Sequence, residues 1–377
     1  MRCYSMLEGL LGRLLGTPLG TARGAALGTP IVTLAVLACL ALLRPAHAAV
    51  PVPVCATVPD LGSLARAVGG DDVTVTVFTK AGEDPHFTPA RPSFVKATSV
   101  CRLLLLAGLD LEVGWLPVLL RQSRNAAVQP GQPGYLDAST AIAPLDVPAG
   151  PVDRSMGDVH PLGNPHYLLD PLNGLRVARV VRDRLAVLRP GAAAALDARL
   201  ADLEGRVHAA LVGPQLAARY GRDVAKLARL HERNELAAFL AAQGETDLLG
   251  GWLAAVAPYH GTRYVDDHAI WPYFARRFGL RNAGHLEPLS GIPPTTKHLR
   301  EIVTMMRAER VPLVLASAYY DPRHAAFVAE STGAAVLRMA NQTGARPGTD
   351  DYLAMTDYNV RQVVDALAAA AARTGSP

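Results

Sequence analysis

The sequence predicts an α/β protein of two lobes, each a parallel sheet with flanking helices, set on either side of a long helical connector. Three observations predict it. Short apolar, β-rich runs alternate with helical stretches from residue 52 to residue 107, a helical tract covers 172–212 with one break at Pro190-Gly191, and a second strand–helix alternation runs from 263 to the end. Half of the 377 residues are hydrophobic, enough for two ordinary cores.

The first segment reads differently from the rest. Arg2, Arg13 and Arg23 precede an apolar run over 31–43, and Ala46-x-Ala48 supplies the small residues that a signal peptidase requires. The run is shorter than the ~20 residues of a membrane span, so residues 1–48 are predicted to be a cleaved signal peptide rather than an anchor. Val36-Leu37-Ala38-Cys39 is a fainter match to a lipoprotein box, because the apolar run continues past Cys39. Cleavage removes Cys3 and Cys39 and leaves Cys55 and Cys101, for which a disulfide and two buried thiols both remain open.

In the mature chain, 52–57, 73–79 and 103–107 are predicted strands, with a helix over 61–68. The continuous apolar run at 103–107 suits a parallel sheet covered on both faces. These assign a first lobe to 49–172. A connector spans 173–212, its second half, 192–212, long and uninterrupted. That half reads either as a rod between lobes or as a surface helix of one of them. The second lobe, 213–377, is predicted to hold strands at 263–265, 312–317 and 334–339 and helices at 269–278 and 352–372.

A formal charge of +4, with no dense Lys/Arg run interleaved with aromatics, excludes a nucleic-acid partner. Neither remaining cysteine sits in a Cys-x-x-Cys pair, which speaks against thiolate metal or redox chemistry. The chemistry-bearing residues are histidines. His86, His166 and His268 each stand beside a turn or helix start just after a predicted strand or loop, where ligand groups of open α/β sheets gather. Three imidazoles and a fourth group suit tetrahedral zinc, whereas calcium and magnesium prefer oxygen. Nothing local separates these three from His160, His260, His285, His298 or His324.

The surrounding words do. Asp84-Pro85-His86-Phe87 with Arg91-Pro92-Ser93, Gly108-Leu109-Asp110-Leu111-Glu112 with Trp115-Leu116-Pro117, Asn164-Pro165-His166-Tyr167 with Leu169-Asp170-Pro171, and His268 with Trp271-Pro272-Tyr273-Phe274-Ala275 appear in that order. Together they resemble the TroA-like metal-binding proteins of bacterial zinc and manganese ABC importers. The resemblance implies a periplasmic, monomeric, non-enzymatic protein that carries zinc, with manganese second, to a membrane permease. It implies His86, His166 and His268 as metal ligands and the long helix as a rigid backbone between the lobes. Relatives often add a carboxylate ligand after the last strand of the second lobe, where this chain reads Met339-Ala340-Asn341-Gln342. The fourth position is therefore expected to be water, with Asn341 and Asp321 as alternatives.

Four further expectations complete the reading. Asp266 and Asp267 either orient His268 or cap a helix starting near Ala269. Trp271, Tyr273 and Phe274 are expected in the core rather than against a ligand. His231-Glu232 is expected on a solvated face of added helix within 213–251. A secreted zinc hydrolase is the rival function, without a His-Glu-x-x-His helix to support it.

Overall fold

Four short runs in each half pair as strands in the computed structural model, which describes residues 50–152, 159–289 and 291–374. The predicted signal peptide, with Cys3 and Cys39, lies outside the described residues. In the first half β1 (Val52–Ala56), β2 (Val73–Val77), β3 (Leu103–Leu106) and β4 (Tyr135–Asp137) form an all-parallel sheet of order β2-β1-β3-β4. In the second half β5 (Arg263–Asp266), β6 (Arg281–His285), β7 (Leu313–Ala316) and β8 (Ala335–Arg338) repeat the order as β6-β5-β7-β8, again all parallel. The inner strands β3 and β7 are buried along their whole length, because helices cover both faces.

Thirteen α-helices among the described residues surround these sheets. They are α1 (Pro59–Gly69), α2 (Pro92–Val100), α3 (Leu116–Ser123), α4 (Pro171–Leu188), α5 (Ala193–Val212), α6 (Pro214–Tyr220), α7 (Ala225–Glu232), α8 (Leu236–Gln243), α9 (Gly251–Val256), α10 (Pro272–Phe278), α11 (Thr296–Glu309), α12 (Pro322–Thr332) and α13 (Tyr352–Thr374). Proline opens many of them, where its missing N–H costs nothing and its fixed φ suits the first turn. The connector breaks where the sequence suggests: Arg189, held out of the α-region by Pro190, leaves the helix at φ −143°, and α5 folds back along α4.

The 20-residue α5 packs on α1 of the first half and on α9 of the second, so it touches both. One apolar core, running through α1, α4, α5, α9, α10 and α13, is shared by the halves. Separate clusters fill the other face of each sheet, around Phe78, Phe94 and Trp115 in the first and Ile302, Met306 and Val314 in the second. Trp271, Tyr273 and Phe274 belong to the shared core, as expected.

The 213–251 segment adds α6, α7 and α8, but its His231-Glu232 pair is not a solvated face. His231 Nε2 lies 3.2 Å from the Arg277 carbonyl oxygen, and Glu232 pairs with Arg176 and Arg277. Arg277 also forks onto Asp170 at 2.8 and 2.7 Å, while Asp170 caps α4 through the Leu172 N–H. The pair thus closes a half-buried network that joins α4, α7 and α10. Cys55 and Cys101 are both buried free thiols packed in the first half's outer cluster; the Cys101 thiol beside it and burial push Cys55 far above its ordinary range. Among the described residues no helix is long and apolar enough to cross a membrane.

Candidate metal centre

The Asp84-Pro85-His86-Phe87 word folds as a single tight turn after β2. Asp84 caps it, with Oδ1 accepting the His86 backbone N–H at 3.0 Å and lying 2.6 Å from His86 Nδ1. Burial alone would raise Asp84, but the hydrogen bond and charge of His86 hold it below the usual carboxylate range. A carboxylate on Nδ1 leaves Nε2 as the atom that can coordinate. The turn is anchored from behind by Trp115, whose Nε1 donates to the Pro85 carbonyl at 2.9 Å, which gives the Trp115-Leu116-Pro117 word its purpose.

The Asn164-Pro165-His166-Tyr167 word uses the same device. Asn164 Oδ1 accepts from the His166 backbone N–H at 3.0 Å, and Tyr167 donates from its hydroxyl to the Ala107 carbonyl at the end of β3, 2.7 Å away. His166 Nε2 is buried with no hydrogen-bond partner, an orphaned donor atom that suits a cation. Burial, then His86, His268 and His160, push His166 well below the ordinary imidazole range.

His268 stands two residues beyond β5, almost fully buried, with Nδ1 3.7 Å from Glu287 Oε2. Burial, then His86 and His285, push it down to about 3. Neither preceding aspartate serves it. Asp267 Oδ2 accepts the Ser317 N–H at 2.8 Å, and Asp266 Oδ1 lies 2.5 Å from His285 Nδ1 and accepts from Asn282 at 3.2 Å. Nor do they cap a helix: Ala269 and Ile270 form a turn, and α10 starts at Pro272 without a side-chain cap. Both roles expected of Asp266 and Asp267 are thereby corrected, since register against β6 and β7 turns their carboxylates away from His268.

The structure brings the three sequence-predicted histidines together at the carboxyl ends of both sheets. Ring centroids are 5.6 Å apart for His86–His166, 6.4 Å for His86–His268 and 6.1 Å for His166–His268. Imidazoles sharing one zinc at about 2.0–2.1 Å would have centroids roughly 5 Å apart. Among the described residues no group of three or more His, Cys, Asp or Glu side chains already stands in metal-holding geometry, so the rings are gathered but open. Imidazole nitrogens gathered in this way, His166 Nε2 among them without a partner, fit a borderline transition-metal ion.

Two histidines that sequence reasoning left undistinguished also reach the site. His160 puts Nε2 3.0 Å from His86 Nε2, with ring centroids 5.1 Å apart, and His285 lines the same cleft of about 410 Å³ as His160, His166 and His268. Their only sequence signal is proximity to a motif, six residues before His166 for His160. Of the expected fourth ligands, Asp321 is committed elsewhere: it caps α12 and pairs with Arg323, whose hydrogen bonds hold it down at about 2. Asn341 Oδ1 accepts the Ala318 N–H at 3.2 Å, at a small cavity of about 30 Å³ that His166 also lines.

Residues 54–211 and 236–366 match the family described as ZnuA, zinc-uptake complex component A periplasmic; the gap between them falls on α6 and α7. The chain is 26% identical over 361 residues to the high-affinity zinc uptake system protein ZnuA of Paracoccus denitrificans, covering 86% of this chain and 94% of that one. It is 20% identical over 340 residues to the manganese ABC transporter substrate-binding lipoprotein PsaA of Streptococcus anginosus, covering 89% and 95%. A crystal structure of ZnuA superposes with a TM-score of 0.61 at 19% identity, covering 84% of this chain and 98% of that one, a likeness of fold.

Proposed function

The chain belongs to the ZnuA family of periplasmic zinc-uptake components, and from that premise we propose that it captures one transition-metal ion, zinc in preference to manganese, on His86, His166 and His268. It then delivers that ion to the membrane permease of an ABC importer. The apolar run over 31–43 and Ala46-x-Ala48 support export through a cleaved leader, and hence a periplasmic location.

One observation carries the reading: three imidazoles from separate stretches, two in the first lobe and one in the second, have centroids within 6.4 Å of one another at the seam. Because the ligands come from both lobes, metal binding draws the lobes together and release requires their separation. The shared core and α5 support a small movement rather than a wide clamshell. Zinc is favoured because neutral imidazole suits it, while manganese prefers harder oxygen donors. The hydrolase alternative has no support from the family or the relatives, whose names describe uptake and substrate binding.

Calorimetry of the metal-stripped protein with zinc and with manganese tests the reading. One zinc per chain is expected, with binding lost or severely weakened in His86→Ala, His166→Ala and His268→Ala. Zinc binding that survives intact in all three variants would overturn it.

A further inference from the structure

We propose that His160 is the fourth ligand of the captured ion, so that the site is an all-imidazole tetrahedron of His86, His160, His166 and His268. The proposal deepens, and rests on, the three-histidine reading above. It replaces the water expected at that position and departs from the carboxylate that the resemblance suggests.

The geometry begins with the 3.0 Å separation of His86 Nε2 and His160 Nε2. Two nitrogens bound to one tetrahedral zinc at about 2.0–2.1 Å lie roughly 3.3 Å apart, so this pair is already near ligating separation. Each ring has a further partner. His86 Nδ1 faces the Asp84 carboxylate, and His160 hydrogen-bonds the backbone of Leu109. The two Nε2 atoms thus share one close contact at 3.0 Å, and loss of the proton between them leaves both lone pairs available to one cation.

The Leu109 carbonyl is itself held there at a cost. Gly108, Leu109 and Asp110 follow β3 as a run of left-handed residues, with φ of 74°, 51° and 65°. Such a conformation is unfavourable for leucine and persists only where the surroundings impose it. Here Glu112 imposes it, accepting the Ala107 and Gly108 N–H groups at 2.7 and 3.1 Å. On the other side, His160 starts a turn closed by its carbonyl accepting the Gly163 N–H at 3.2 Å, and Asn164 N–H donates to the Leu145 carbonyl at 2.8 Å. The loop is thus fixed at its motif end, and the competing donors Asp321 and Asn341 are engaged elsewhere.

A fourth nitrogen in place of oxygen has a consequence for choice of cargo. Manganese gains from carboxylate and water ligands, whereas zinc accepts four imidazoles readily, so His160 is also a specificity residue that disfavours manganese.

X-ray absorption of the zinc-loaded protein is the direct test, read beside calorimetry. The wild type is expected to show four nitrogen scatterers with the outer-shell pattern of four imidazoles. His160→Ala should show three imidazoles and one oxygen, with zinc binding weakened roughly tenfold or more. His160→Asp should recover affinity and shift the zinc-to-manganese preference toward manganese; circular dichroism melts of both variants confirm folding. A wild-type spectrum of three imidazoles plus oxygen, at one zinc per chain, overturns this proposal alone. A wild type that binds no zinc overturns the three-histidine reading and this one with it.

Discussion

Asn164 ties His166 to the opposite lobe: its Nδ2 donates to the Ala269 carbonyl at 2.7 Å while its Oδ1 accepts the His166 backbone N–H at 3.0 Å. Ala269 directly follows His268, so one amide side chain sets the spacing of two proposed ligands across the seam. Tyr273 reinforces it, its hydroxyl donating to the Asn164 carbonyl and accepting the Leu145 N–H, both at 2.8 Å.

Asn164→Ala should therefore weaken zinc binding about 10–100-fold, the range typical of groups that orient metal ligands. Calorimetry reads the affinity. Thermal melts should show a correspondingly smaller zinc-induced rise in Tm, because stabilisation by a ligand follows its dissociation constant. Full wild-type affinity in this variant would mean that the lobes hold the two histidines in place without the amide.

Glu112 sets a pH dependence of a defined sign. It is wholly buried, and burial pushes it up to about 7 even though Thr57, Ala107 and Gly108 all donate to it. The folded protein keeps this proton to about pH 7, whereas the unfolded chain loses it near an ordinary glutamate value. Its contribution to stability is therefore complete below the unfolded pKa and is lost as pH rises through about 7. Urea titrations from pH 5 to pH 8 should show the wild type losing stability relative to Glu112→Gln by up to ~3 kcal/mol. Comparing the two proteins isolates Glu112 from His160 and His268, whose lowered values act with the opposite sign. A wild-type minus variant difference that does not change with pH would show that Glu112 ionises freely.

Much of the fold was legible because β1, β3 and β7 are apolar along their length and many helices open with proline. Of the four edge strands, β2 and β8 were legible but β4 and β6 were not. Tyr135–Asp137 is three residues long, and Arg281–His285 is polar and partly exposed, so neither carries an apolar run. His86, His166 and His268, which motif likeness singled out, have ring centroids within 6.4 Å of one another. The partners of Asp266, Asp267 and Glu232 were not legible, because they are fixed by strand register and by Arg277 in another helix, not by neighbours in the chain. His160 was missed for the same reason: what distinguishes it is a contact with His86, 74 residues away.

The last prediction concerns release. Asp60, in the first turn of α1, accepts both the N–H and the hydroxyl of Thr343 on a single oxygen, at 2.9 and 2.7 Å, and Gln342 Nε2 donates to the Glu83 carbonyl at 3.1 Å. Thr343 and Gln342 follow β8 of the second lobe, whereas Asp60 and Glu83 belong to the first, so these bonds cross the seam beside the Asp84-Pro85-His86 turn. Parting the lobes must break them, while metal coordination itself does not involve them. Thr343→Val keeps the backbone donor and the side-chain shape but removes the hydroxyl, leaving a buried carboxylate with one bond fewer. Such a loss is worth roughly 1–2 kcal/mol, which corresponds to about a 5–30-fold faster release of zinc into excess chelator in stopped-flow experiments. The X-ray absorption spectrum of the bound zinc should stay as in the wild type. Release at the wild-type rate, with that spectrum unchanged, would show that zinc leaves without the Asp60–Thr343 contact opening.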